Sequence, residues 1–103
     1  MKEKNKTINI LGLTYTIEEV EQVDKNQRMF GEVDYVTQTI KIEKGLTKEK
    51  KVNVLIHEVL HAIFERLNFQ KENENEHLID CLTLAIYQIL NDNAFDESSI
   101  KNK

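Results

Sequence analysis

A chain of 103 residues, 40% hydrophobic and 31% charged, is long enough for one modest core and too short for a second domain. Its net charge of −4 is gathered in the second half: residues 1–51 carry 10 basic and 9 acidic side chains, residues 52–103 carry 4 and 9. An acidic half does not suit the phosphates of nucleic acid, and no apolar run reaches the length of a membrane span. The polar, charged stretch Met1 to Lys6 argues against a signal peptide, and the single cysteine, Cys81, cannot close an internal disulfide, so a cytoplasmic setting is expected.

The first elements are β-rich. Thr7 to Leu11 and Leu13 to Glu18 alternate apolar and polar residues on either side of Gly12, the period of a half-buried strand. Glu18 to Arg28 is charged and weakly patterned and reads as an irregular connection. Met29 to Asp34 and Gln38 to Glu43 make a second pair of strands, with Tyr35-Val36-Thr37 at the bend. The three glycines, Gly12, Gly31 and Gly45, punctuate these segments, and there is no proline.

Two helices follow. Thr47 is placed to cap the first, and Val52, Leu55, Ile56, Val59, Leu60, Ile63 and Leu67 repeat at helical spacing, with His57, His61 and Phe64 on the flank of that stripe. Asn68 to Asn73 is polar and reads as a turn. The second helix runs from about Glu74 to Leu90 with Leu78, Leu82, Ala85, Ile86 and Ile89 as its apolar stripe, and Glu76, Asp80, Thr83 and Tyr87 along one edge. The expected fold class is α+β: a small N-terminal antiparallel sheet (1–46) followed by two packed helices (47–91). Residues 1–91 form a single domain and 92–103 a polar tail, with Phe95 and Ile100 as its docking points.

The chemistry is concentrated in His57-Glu58-Val59-Leu60-His61. Histidines at i and i+4 lie one turn apart on one face of a helix and can bind one ion, with the intervening glutamate within reach of a water on it. A catalytic zinc needs a third protein ligand. Glu74, Glu76, His77 and Asp80 are the candidates, and Glu76 fits best, because 15 residues after His61 lets one helix finish and the next return. Asp80, one turn beyond, is placed to accept a hydrogen bond from a metal-bound histidine, His57 first. Cys81 points away from that edge and reads as a buried small hydrophobe.

This arrangement resembles the gluzincin pattern, in which H-E-x-x-H is followed by N-E-x-x-S-D. Here Asn75, Glu76 and Asp80 match and Ile79 stands where the family has serine. More loosely, the chain is similar to small zincin-like peptidases of phages and prophages and to the ImmA/IrrE-like metallopeptidases. The resemblance covers residues 29–91. It implies Zn2+ held by His57, His61 and Glu76, with Glu58 as general base, and an antiparallel edge strand that lines the substrate, for which Gln38 to Glu43 is the candidate. The expected activity is a zinc metallopeptidase acting on a peptide or protein by a zinc-activated water, with no nucleic-acid or membrane partner. Tyr87 and Tyr35 are the choices for a group that stabilises the transition state. The alternative is a zincin-like metal-binding module that works by interaction, for example on a regulatory protein, without catalysis. A two-histidine, one-carboxylate set also suits Fe(II). A closed structural zinc is disfavoured by the single thiol.

Overall fold

A computed structural model describes residues 6–23 and 29–101. The expected roles of 1–5, of the part of the 18–28 connection that spans 24–28, and of 102–103 lie outside the described residues. The chain is α+β. Its elements are β1 (Lys6–Ile10), β2 (Leu13–Val20), β3 (Gly31–Asp34), β4 (Thr39–Glu43), α1 (Lys48–Arg66), α2 (Gln70–Glu74) and α3 (Glu76–Asp92), then one 3-10 turn (Glu97–Ser99). No helix among the described residues is long and apolar enough to cross a membrane.

The four strands form one mixed sheet in the order β1-β2-β4-β3. β1 and β2 are an antiparallel hairpin whose tight turn puts both Leu11 (φ 49°) and Gly12 (φ 93°) in the left-handed region. That backbone matches the twist of two-residue hairpins, and Asn9 Oδ1 closes the turn by accepting from Gly12 N at 3.1 Å. β3 and β4 form the second hairpin, its turn held by Asp34 Oδ1, which accepts from the amides of Val36 and Thr37. Those bonds hold the Asp34 carboxyl below its ordinary pKa. The two hairpins join through β2 and β4, which run parallel.

An all-antiparallel sheet is therefore not what forms, nor is β4 an edge. β3 lies between β2 and β4 in the chain and runs antiparallel to β4, so β4 re-enters beside β2 in the same direction. β3 is left as the outer strand, and the expected edge-strand role of Gln38 to Glu43 passes to it. β4 instead supplies the centre of the core: Ile40 is fully buried and Ile42 nearly so, with Ile10, Tyr15, Val54 and Ala62 packed around them.

α1 crosses this core. Thr47 caps it as expected, its Oγ1 accepting from Lys50 N at 3.1 Å. Asn68 (φ 62°) ends the helical run in the left-handed conformation. α1 contacts β1, β3 and β4 on one side and α2 and α3 on the other, whereas among the described elements α3 contacts only the other two helices. The sheet, α1 and α3 thus lie in three layers, and a helix in the middle is buried on two sides. Val54, Glu58 and Ala62, spaced by four, form the buried line of α1 together with Leu60, while Val52 and Leu67 at the ends of the expected stripe are exposed.

The phase of α3 also differs. Its buried residues are Ile79 and Thr83, and Ala85 and Ile89 of the expected stripe face outward. Thr83 satisfies its buried hydroxyl by donating to Ile79 O at 2.8 Å. Ile79 is fully buried, which accounts for an apolar residue where the gluzincin pattern has serine. The expected turn at 68–73 contains a short helix, α2. Cys81 is exposed, not buried, its sulfur 3.6 Å from His77 Nε2. Phe95 and Ile100 are 69% and 84% exposed and so are not docked among the described residues.

Candidate metal centre

The first turns of α3 face the middle of α1, and this sets the site. Asn75 caps α3, its Oδ1 accepting from Leu78 N at 3.0 Å, so the helix begins with Glu76. Glu76 then stands opposite both histidines. Its Oε1 is 3.0 Å from His61 Nε2 and its Oε2 is 3.5 Å from His57 Nε2. The imidazoles meet edge-on at 4.9 Å. One ligand atom from each of His57, His61 and Glu76 lies within 4.8 Å of the others.

The outer nitrogens are held as well. His57 Nδ1 is 3.2 Å from Asp80 Oδ1, as the spacing of Asp80 suggested. His61 Nδ1 is 2.6 Å from Asn73 Oδ1. Both rings therefore have an acceptor on each side. A neutral imidazole carries one N–H. Donated outward to Asp80 and Asn73, those two hydrogens leave two Nε2 lone pairs and a carboxylate converging with no proton to share. Such a set fits a metal cation: two imidazole nitrogens with a carboxylate oxygen are ligands that zinc and other transition ions accept.

Glu58 comes from the buried face of the same helix. It is 7% exposed, and loss of solvent raises its carboxyl to a pKa of about 7 in the metal-free protein. His61 acts against that shift, and the charges of Glu76 and Glu32 add to it. The close approach depends on Gly31, the first residue of β3. A Cβ there would overlap Val54 Cγ1 and stand 3.1 Å from Glu58 Oε2. Gly31 is thus more than punctuation: it lets the outer strand lie directly against the helix that carries the site.

His57, Glu58, His61, Glu76 and Asp80 open onto one cleft of about 920 Å³, walled by Gly31, Glu32 and Val33 of β3 and by Thr83 and Leu84 of α3. Tyr35 also lines it, and its hydroxyl accepts from Asn73 Nδ2 at 3.1 Å. Tyr87 does not. It lies in a separate small groove with Val52, Ile56, Leu90 and Asn91. Glu74 ends α2 and His77 is exposed beside Cys81; neither belongs to the ligand group. Asn73 is the residue that sequence reasoning missed. It read as part of a polar turn, and the one available signal was an amide four residues beyond Phe69, at the point where a short helix would turn it inward.

No protein-family model matches the chain, and neither a curated protein nor a solved structure matches it.

Proposed function

We propose that the protein is a small zincin-like, zinc-dependent peptidase, with His57, His61 and Glu76 as metal ligands and Glu58 as the general base. The observation that carries this reading is the convergence of Glu76 with two imidazoles whose outer nitrogens are already hydrogen-bonded, with a desolvated carboxylate beside them. A structural zinc would be closed by four protein ligands; a set of three on the wall of an open cleft is the pattern of a catalytic ion.

When bound, zinc supplies Lewis acidity, polarising a carbonyl and making water a stronger acid. Glu58 takes the proton of the attacking water and delivers it to the leaving amine. Its burial makes it a stronger base than an exposed carboxylate. Asp80 and Asn73 hold the imidazoles so that the Nε2 atoms face inward. The substrate is an extended peptide segment pairing by its main chain with β3, the outer strand at the cleft.

Zinc-loaded wild type and Glu58→Gln, compared on unfolded casein, test the proposal. Wild type is expected to cleave and the variant to lose roughly 10²- to 10⁴-fold in turnover while keeping its zinc. Equal behaviour of the two proteins would remove Glu58 from the chemistry and leave a metal-binding module.

A further inference from the structure

Asn73 uses both ends of its amide. Oδ1 faces His61 Nδ1 at 2.6 Å and Nδ2 faces Tyr35 Oη at 3.1 Å. An amide oxygen only accepts and an amide nitrogen only donates, so the two contacts fix both partners. The contact with Asn73 puts a His61 hydrogen on Nδ1, and in the neutral ring that leaves Nε2 as a lone pair directed at Glu76. Tyr35 Oη is the acceptor from Asn73, so its own hydrogen is not spent on that bond. Tyr35 lines the cleft, and burial keeps its hydroxyl protonated by raising it above its ordinary pKa.

We infer that Asn73 is a positioning residue with two functions, holding His61 in the metal-binding tautomer and aiming the Tyr35 hydroxyl hydrogen into the cleft, where it donates to the oxyanion of the substrate. The second function rests on the peptidase reading above; the first does not. Of the two tyrosines weighed from the sequence, the geometry favours Tyr35, on the β3–β4 turn, because Tyr87 stands in another groove. The connection runs through three separate elements, since Tyr35 follows β3, Asn73 lies on α2 and His61 on α1. It gives α2, otherwise a single exposed turn with no buried residue, a reason to be helical: the turn carries Asn73 to a point between the hairpin and α1.

Asparagine and aspartate have nearly the same shape, and this separates the two functions. A carboxylate at position 73 still accepts from His61 Nδ1 but has nothing to donate to Tyr35. The tyrosine then turns its hydrogen onto the carboxylate and away from the cleft. Zinc affinity is read by chelator competition. Binding of an N-phosphorylated leucyl dipeptide to the zinc-loaded protein reads the Tyr35 donor, because its tetrahedral phosphoryl oxygens stand in for the oxyanion.

Asn73→Ala is expected to weaken zinc about 10- to 100-fold, whereas Asn73→Asp and Tyr35→Phe keep wild-type zinc affinity to within about threefold. The phosphoryl dipeptide is expected to bind Tyr35→Phe and Asn73→Asp equally, each about 10- to 100-fold more weakly than wild type. Unchanged zinc affinity in Asn73→Ala would overturn the first function. Full dipeptide affinity in Asn73→Asp, or in Tyr35→Phe, would overturn the second. A wild type that binds zinc and the dipeptide but cleaves no peptide would instead sink the peptidase reading, and with it the donation from Tyr35 to a substrate oxyanion, and leave the role of Asn73 toward His61 standing.

Discussion

The α1–α3 pair has two margins, and they are built from the same two helices to opposite effect. On one margin His57, His61, Glu76 and Asp80 face each other across a broad cleft beside the outer strand. On the other, Val52, Ile56, Tyr87 and Leu90 line a shallow, mostly apolar groove. Axial position and the facing side of α1 decide which residues go where: Tyr87 shares the helical phase of Asp80 but stands two turns, about 10 Å, further along α3, where α1 offers Val52 and Ile56 instead of its histidines. The polar margin also bears a cost that the apolar one does not, a buried carboxylate to which no positively charged residue among the described residues is bonded. A site that holds a destabilising group in place is what function requires of a fold.

The largest expected effect that would sharpen this contrast comes from that carboxylate. Glu58 has a pKa of about 7 in the folded, metal-free protein against 4.5 for a free glutamate side chain. The folded chain therefore keeps a proton that the unfolded chain has released. Stability owed to the protonated form is complete below pH 4.5 and is lost as pH rises through about 7. Replacement by glutamine removes the titration. Chelator-treated Glu58→Gln is expected to exceed wild type by roughly 3 kcal/mol in urea unfolding at about pH 8, and to match it at about pH 4. A constant difference across that range would mean that Glu58 is not buried as a carboxylate.

Asp80→Ala should weaken zinc by about 10- to 100-fold without unfolding the chain, because it frees the His57 ring and Asp80 is itself exposed. Gly31→Ala should cost about 1–3 kcal/mol in thermal or urea unfolding, since the added methyl meets Val54 and crowds Glu58. Tyr87→Phe, on the far margin, should change zinc affinity by less than about twofold, the smallest effect of the set. A Tyr87 effect as large as that of Asp80 would break the distinction between the margins.

Much of this was legible in the residues, and the reasons are local. The i, i+4 histidines, the return of Glu76 after a turn and Asp80 one turn on are all short-range spacings, and the fold brings them together at Glu76. Thr47, the Leu11-Gly12 bend and the Tyr35 to Gln38 turn were likewise set by neighbouring residues. What escaped was set at long range. Whether β4 pairs as an edge or enters between β2 and β3 depends on which strand it meets, and nothing in Thr39–Glu43 encodes that choice except its two core isoleucines. Leu55, Val59, Leu60 and Ile63 of the expected α1 stripe do pack inward, but α1 is covered on two sides, so Val54, Glu58 and Ala62 are buried as well, where an amphipathic reading expects a flank. Asn73 and Gly31 owe their importance to partners 12 and more positions away: His61 for the one, Val54 and Glu58 for the other.

The central claim is that His57, His61 and Glu76 hold one zinc ion. Metal content after zinc loading and desalting, measured on wild type beside His57→Ala and Glu76→Ala, tests it most directly. The expected result is one zinc per wild-type chain and a loss of more than about 100-fold in affinity in each variant, beyond that of the outer-sphere change Asp80→Ala. Wild type that retains no zinc, or Glu76→Ala that retains it as tightly as wild type, would contradict the account.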